Sequence, residues 1–116
     1  MSTTTVYHNP SCSNSRGVLA LLRERGIEPD IVQYLSAPPD RGTLQRLADA
    51  SGLGLRGIVR SKEAIYAELQ LDGADDARLL EAMLAHPQLI NRPIVETPLG
   101  VRLCRPPETV LEILPG

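Results

Sequence analysis

Cys12 is the residue of this 116-residue chain best placed to do chemistry. It lies between His8-Asn9-Pro10, which reads as a turn, and a stretch in which Val18, Leu21 and Leu22 recur at helical spacing. A thiol at that junction meets unpaired backbone N–H groups and the positive end of the helix dipole, which lower its pKa and favour the nucleophilic thiolate. Free cysteines are often small buried hydrophobes, but Pro10, Ser11, Ser13, Asn14 and Ser15 surround this one with polar loop. His8 offers either a positive charge when protonated or a structural hydrogen bond at a strand end. Ser15 stands where the second cysteine of a Cys-x-x-Cys pair would be, so the local disulfide of ordinary thiol exchange cannot close. Cys104 is the opposite case: it alternates with apolar neighbours and is expected to be buried.

Guanidinium is the second theme. Lys62 is the only lysine among the 12 Lys and Arg residues, and the planar fork of arginine suits tetrahedral oxyanions. Most arginines are expected at the solvated surface. Arg92-Pro93 differs, because it precedes a strand and a cis bond there would turn the arginine toward the loop of the nucleophile. Arg105-Pro106 closes a hairpin. A thiolate, a helix amino end and two or three arginines together would bind a small oxyanion.

Those residues need a scaffold, and the spacing supplies one. Residues 3–7 read as a strand, followed by a helix that Ser13 or a neighbour caps and Gly26 stops; residues 31–35 read as a second strand. So short a strand–helix–strand unit implies a parallel pair with a right-handed crossover. Pro38-Pro39-Asp40 breaks the pattern, and helical spacing then recurs with Leu44, Leu47 and Ala48, over 55–60 and 63–69, and over 75–85 up to Pro87. Residues 94–97 and 101–104, joined by Pro98-Leu99-Gly100, read as a hairpin, and a last helix is expected over 106–114. The order is that of a single α/β domain: a thioredoxin-like mixed sheet of about four strands, with a helical insert at about 40–86.

Composition excludes other classes. With 42% hydrophobic and 22% charged residues the chain reads as globular. A net charge of −2, no Phe or Trp, and Tyr7, Tyr34 and Tyr66 as the only aromatic rings leave no footprint for a nucleic acid. No leader is legible at the amino terminus and no run approaches a membrane span, so the expected address is cytoplasmic, without a membrane partner. Nothing demands more than a monomer.

Tyr7-His8-Asn9-Pro10-Ser11-Cys12-Ser13-Asn14-Ser15-Arg16, Asn91-Arg92-Pro93-Ile94-Val95 and Thr97-Pro98-Leu99-Gly100-Val101-Arg102-Leu103-Cys104-Arg105-Pro106 closely resemble the motifs of the glutaredoxin-coupled arsenate reductase family. Leu35 followed by Pro38-Pro39, and Val110-Leu111-Glu112-Ile113-Leu114, also fit, so the resemblance spans nearly the whole chain. It implies that Cys12 attacks arsenate while Arg60, Arg92 and Arg105 hold the oxyanion; His8 and Ser15 are the supporting residues that the loop itself offers. It further implies glutathione as co-substrate, glutaredoxin as partner, arsenite as product, and no metal or tightly bound cofactor. Two other functions use the same frame: a glutathione-dependent thiol reductase acting on another oxidised substrate, and a non-enzymatic regulatory adaptor similar to relatives that bind RNA polymerase. The adaptor's switch is a Cys-x-x-Cys pair, which Ser15 breaks.

Overall fold

The computed structural model describes residues 4–114, which group into two compact units, residues 4–37 with 92–114, and Pro38–Asn91. The first unit holds the sheet. Strand β1 (Thr5–His8) leads into helix α1 (Ser13–Glu24) and strand β2 (Asp30–Gln33); β3 (Ile94–Thr97) and β4 (Gly100–Leu103) form the hairpin. The spatial order is β2-β1-β3-β4, with β1 parallel to β2 and antiparallel to β3, and β3 antiparallel to β4. This mixed four-stranded sheet is the thioredoxin-like plan the element order predicts. Thr3, placed in the first strand from sequence, lies outside the described residues.

Packing follows from the helical spacing of α1. Val18, Leu19 and Leu22 turn inward and meet Val6 of β1, Val95 of β3, Cys104, Val110 and Ile113 in one core cluster. Val6 and Val95 are cross-strand partners, so they present adjacent apolar groups to the helix. Leu22 is fully buried, and truncating such a side chain to alanine costs about 2–5 kcal/mol. Helix α1 ends where Gly26, at φ 77, takes the left-handed conformation that a side chain disfavours.

Residues 107–113 depart from the expected α-helix and form 3-10 helix instead. The buried Val110 and Ile113 are three residues apart, which matches the 3-10 repeat. The segment packs on α1. Gly17, in the second turn of α1, lies against it: a β-carbon added there would sit 2.9 Å from Cγ of Pro107.

The second unit is helical. It comprises α2 (Arg41–Ala50), α3 (Gly54–Ile58), α4 (Ala64–Glu68) and α5 (Asp76–Ala85), with 3-10 turns at Leu71–Gly73 and Pro87–Leu89. Asp40 and Asp75 cap α2 and α5 by accepting from the N–H groups of Thr43 and Arg78, at 2.8 and 2.9 Å. Leu44, Leu47, Ala48, Leu55, Ile58, Leu79 and Met83 are buried, and α2, α3 and α5 pack on one another. The helical spacing at 55–60 breaks off at Ile58, because Val59 bridges to Ile90 and the Arg60 N–H donates to the Leu89 carbonyl at 2.7 Å.

Candidate active site

Cys12 is itself the N-cap residue of α1, in an extended conformation (φ −95, ψ 123), so the cap falls one residue before Ser13. Two local bonds build the turn that carries it. The Cys12 N–H donates to the Asn9 carbonyl at 3.0 Å, and the Asn9 side-chain oxygen accepts from the Ser11 N–H at 2.9 Å. The thiol is half-buried. The Ser15 and Asn14 N–H groups act on the sulfur from the open helix end, although no conventional cap hydrogen bond closes. Burial, the largest single influence, pushes the thiol pKa up; the Ser15 N–H, the Arg92 guanidinium and the Asn14 N–H outweigh it, and the pKa lies below its usual 9.0.

The arginines come from the far end of the sheet's connections. Arg92 stands two residues before β3 and Arg105 two residues after β4, and both Arg92-Pro93 and Arg105-Pro106 are cis. The Cys104 N–H donates to the Pro93 carbonyl at 2.9 Å, joining the two segments. Arg105 Nη1 lies 3.8 Å from Cys12 Sγ and donates to the Arg92 carbonyl at 2.9 Å. One nitrogen therefore links the thiol to the backbone of the other arginine. The result is a sulfur with two guanidinium groups and a helix amino end directed at it, an arrangement in which negative charge is stabilised by fixed donors.

Beneath this loop lies a buried polar pair. Ser15 is fully buried, and its hydroxyl oxygen accepts from the Asn9 N–H at 3.0 Å and lies 2.8 Å from Nδ1 of His8. His8 is 6% exposed, and its pKa is lowered below 6.5, first by burial and then by Arg23 and Arg16. Its imidazole is therefore neutral at neutral pH, and of the two roles open to it from sequence the hydrogen-bonding one fits this geometry. Arg16 donates to the Pro10 carbonyl at 2.9 Å.

The first unit thus brings together His8, Cys12, Ser15, Arg92 and Arg105 from among the residues singled out in the sequence. Arg60 belongs to the second unit, where its Nε is 3.4 Å from a Glu63 carboxylate oxygen and its Nη1 is 3.5 Å from the Asn91 side-chain oxygen. Sequence reasoning missed two contributors. Asn9 shapes the turn that carries Cys12, and the Asn-Pro pair was its signal; Gly17 permits a close approach, and only tertiary packing reveals that. Cys104 is fully buried, and desolvation pushes its thiol up to about 12, so it is inert as a nucleophile. Among the described residues, no group of three or more His, Cys, Asp or Glu converges as metal ligands would, and no helix is long and apolar enough to cross a membrane.

The thioredoxin-like sheet thus carries one thiol with a lowered pKa beside two arginines, with serine where a Cys-x-x-Cys pair would have its second cysteine. The chain belongs to the ArsC family, whose model matches residues 7–113. It is 53% identical over 115 residues to an arsenate reductase of Rhizobium meliloti (strain 1021), which covers 97% of this chain and 82% of the relative. An arsenate reductase of Escherichia coli (strain K12) is 52% identical over 117 residues, covering 99% and 83%. The structure of an arsenate reductase from Vibrio cholerae matches with a TM-score of 0.92 at 46% identity, covering 97% of this chain and 98% of that one.

Proposed function

We propose that this protein reduces arsenate to arsenite, with Cys12 as the nucleophile and Arg92 and Arg105 holding the oxyanion. The single observation that carries this reading is the half-buried sulfur of Cys12, set between the amino end of α1 and two guanidinium groups. In it the thiolate adds to arsenic, an arsenate oxygen leaves as water, and the charge that grows on the remaining oxygens meets donors already in place. Such donors stabilise the transition state more than the free anion. The family resemblance of the sequence also implies an oxyanion role for Arg60.

Arsenate takes up two electrons on becoming arsenite, and two thiols supply them, leaving as one disulfide. Ser15, standing where a resolving cysteine would be, supports an external source for both. Glutathione attacks the Cys12–arsenic adduct, a glutaredoxin thiol completes the reduction as a mixed disulfide forms, and water releases arsenite and the free Cys12. A reducing cytoplasm keeps such a thiol available, and the catalytic unit is a monomer.

The test is arsenite production by the purified protein supplied with arsenate, glutathione and glutaredoxin. Cys12→Ser abolishes it. Arg92→Ala lowers kcat/KM by about 100-fold, the effect of losing one preorganised oxyanion donor. An intact, reduced protein without activity overturns the substrate assignment.

A further inference from the structure

Glycine is among the poorest helix formers, yet Gly17 sits in the second turn of α1 with no left-handed backbone to require it. Packing gives the reason. An added β-carbon would meet Pro107 at 2.9 Å from Cγ and 3.3 Å from Cβ, and a proline ring yields little beyond its pucker. Pro107 follows Arg105-Pro106 directly and opens the 3-10 segment that packs on α1. The same helix carries Cys12 at its amino end, and Arg105 Nη1 reaches both the Cys12 sulfur and the Arg92 carbonyl.

We infer that Gly17 is a positioning residue for the oxyanion site: the missing side chain lets the Arg105–Pro107 segment close on α1 and so sets the Arg105 guanidinium against the Cys12 sulfur. A methyl at position 17 drives Pro107 off the helix and carries Arg105 with it. Because Arg105 also holds the Arg92 carbonyl, the second arginine shifts with the first. The inference rests on the proposed oxyanion role of these arginines. The charged groups that face the sulfur are Arg92 and Arg105; on α1 itself Arg16 is turned to the Pro10 carbonyl, and the neutral His8 is bonded to Ser15.

The test compares Gly17→Ala, Pro107→Ala and the double variant, each confirmed as folded, by the pH dependence of Cys12 alkylation and by kcat/KM for arsenate. In Gly17→Ala the alkylation midpoint rises by about half a unit, and kcat/KM falls about tenfold, the loss of one charge-assisted contact. Pro107→Ala alone behaves as the parent, and adding it to Gly17→Ala restores both readouts, because the crowded ring atom is gone. In an Arg105→Ala background, Gly17→Ala changes nothing further. Unmoved readouts in a folded Gly17→Ala, failure of the Pro107→Ala rescue, or effects that add to those of Arg105→Ala overturn the inference. Should Gly17→Ala not fold, the double variant must fold and match Pro107→Ala; if it stays unfolded, the inference falls. A parent without arsenate reduction whose alkylation midpoint still responds as described overturns the substrate reading and leaves the positioning role standing.

Discussion

Replacing Ser15 with alanine removes one oxygen and leaves two buried groups without their partner. The Asn9 N–H loses its acceptor at 3.0 Å and His8 Nδ1 its partner at 2.8 Å, and Ser15, His8 and Asn9 are respectively 0%, 6% and 8% exposed, so water does not readily take over. A buried polar group left unsatisfied costs about 1–3 kcal/mol. Two of them, offset by about 0.5 kcal/mol from the better helix propensity of alanine, give a loss of about 1.5–5.5 kcal/mol. For a chain of this size that is a fall in Tm of roughly 6–22 °C. Urea unfolding under reducing conditions measures it, as a lower midpoint at unchanged slope. Ser15→Thr, which keeps the hydroxyl, loses much less. A Ser15→Ala protein within about 0.5 kcal/mol of the parent, the range of ordinary surface substitutions, would refute the reasoning: the serine would then not be a strut under the turn that carries Cys12.

Alkylation of Cys12 followed against pH is expected to show a midpoint below 9.0, and Arg92→Ala to move it upward, since the Arg92 charge is among the causes of the depression. A thiolate favoured by the fold stabilises it above the unfolded pKa, and that contribution fades as pH falls through the folded value; Cys12→Ser therefore flattens the stability profile on the alkaline side, and an unchanged profile counts against it. Cys104, pushed up to about 12, is expected to resist alkylation at pH 8 in a Cys12→Ser protein until denaturant is added; labelling of the native form at the rate of a free thiol would contradict its burial. His8, lowered below 6.5, binds its proton more readily in the unfolded chain, so stability holds above pH 6.5 and declines as pH falls from there toward the folded value. The slope is at most about 1.4 kcal/mol per pH unit, and the part due to His8 disappears in His8→Gln when urea midpoints at pH 7.5 and 5.5 are compared.

Much of the fold was legible because its signals are local. The strand at the amino terminus, the helical spacing of Val18 and Leu22, the stop at Gly26 and the Pro98-Leu99-Gly100 turn each depend on residues within a few positions of one another, and the observed elements follow them within two or three residues. The terminal segment misled because apolar residues at 110 and 113 serve a 3-10 and an α repeat alike over so short a stretch.

The setting of Cys12 was equally a local matter. A cysteine after a polar turn and before an apolar helical stripe has its electrostatics fixed by the backbone it must adopt, and the serine three residues on fixes that no neighbouring thiol resolves it. What the sequence left open was settled by residues far apart in the chain. Between a charged and a neutral His8 the decision came from burial and from Arg16 and Arg23, which no spacing rule connects to it. That the arginine at position 105 faces the sulfur at position 12, and that a glycine in the intervening helix makes room for its segment, follows from the packing of the 3-10 turn on α1. The type of chemistry is set by side chains and local backbone, whereas the distances on which that chemistry depends are set by close packing, where one methyl group is enough to change them.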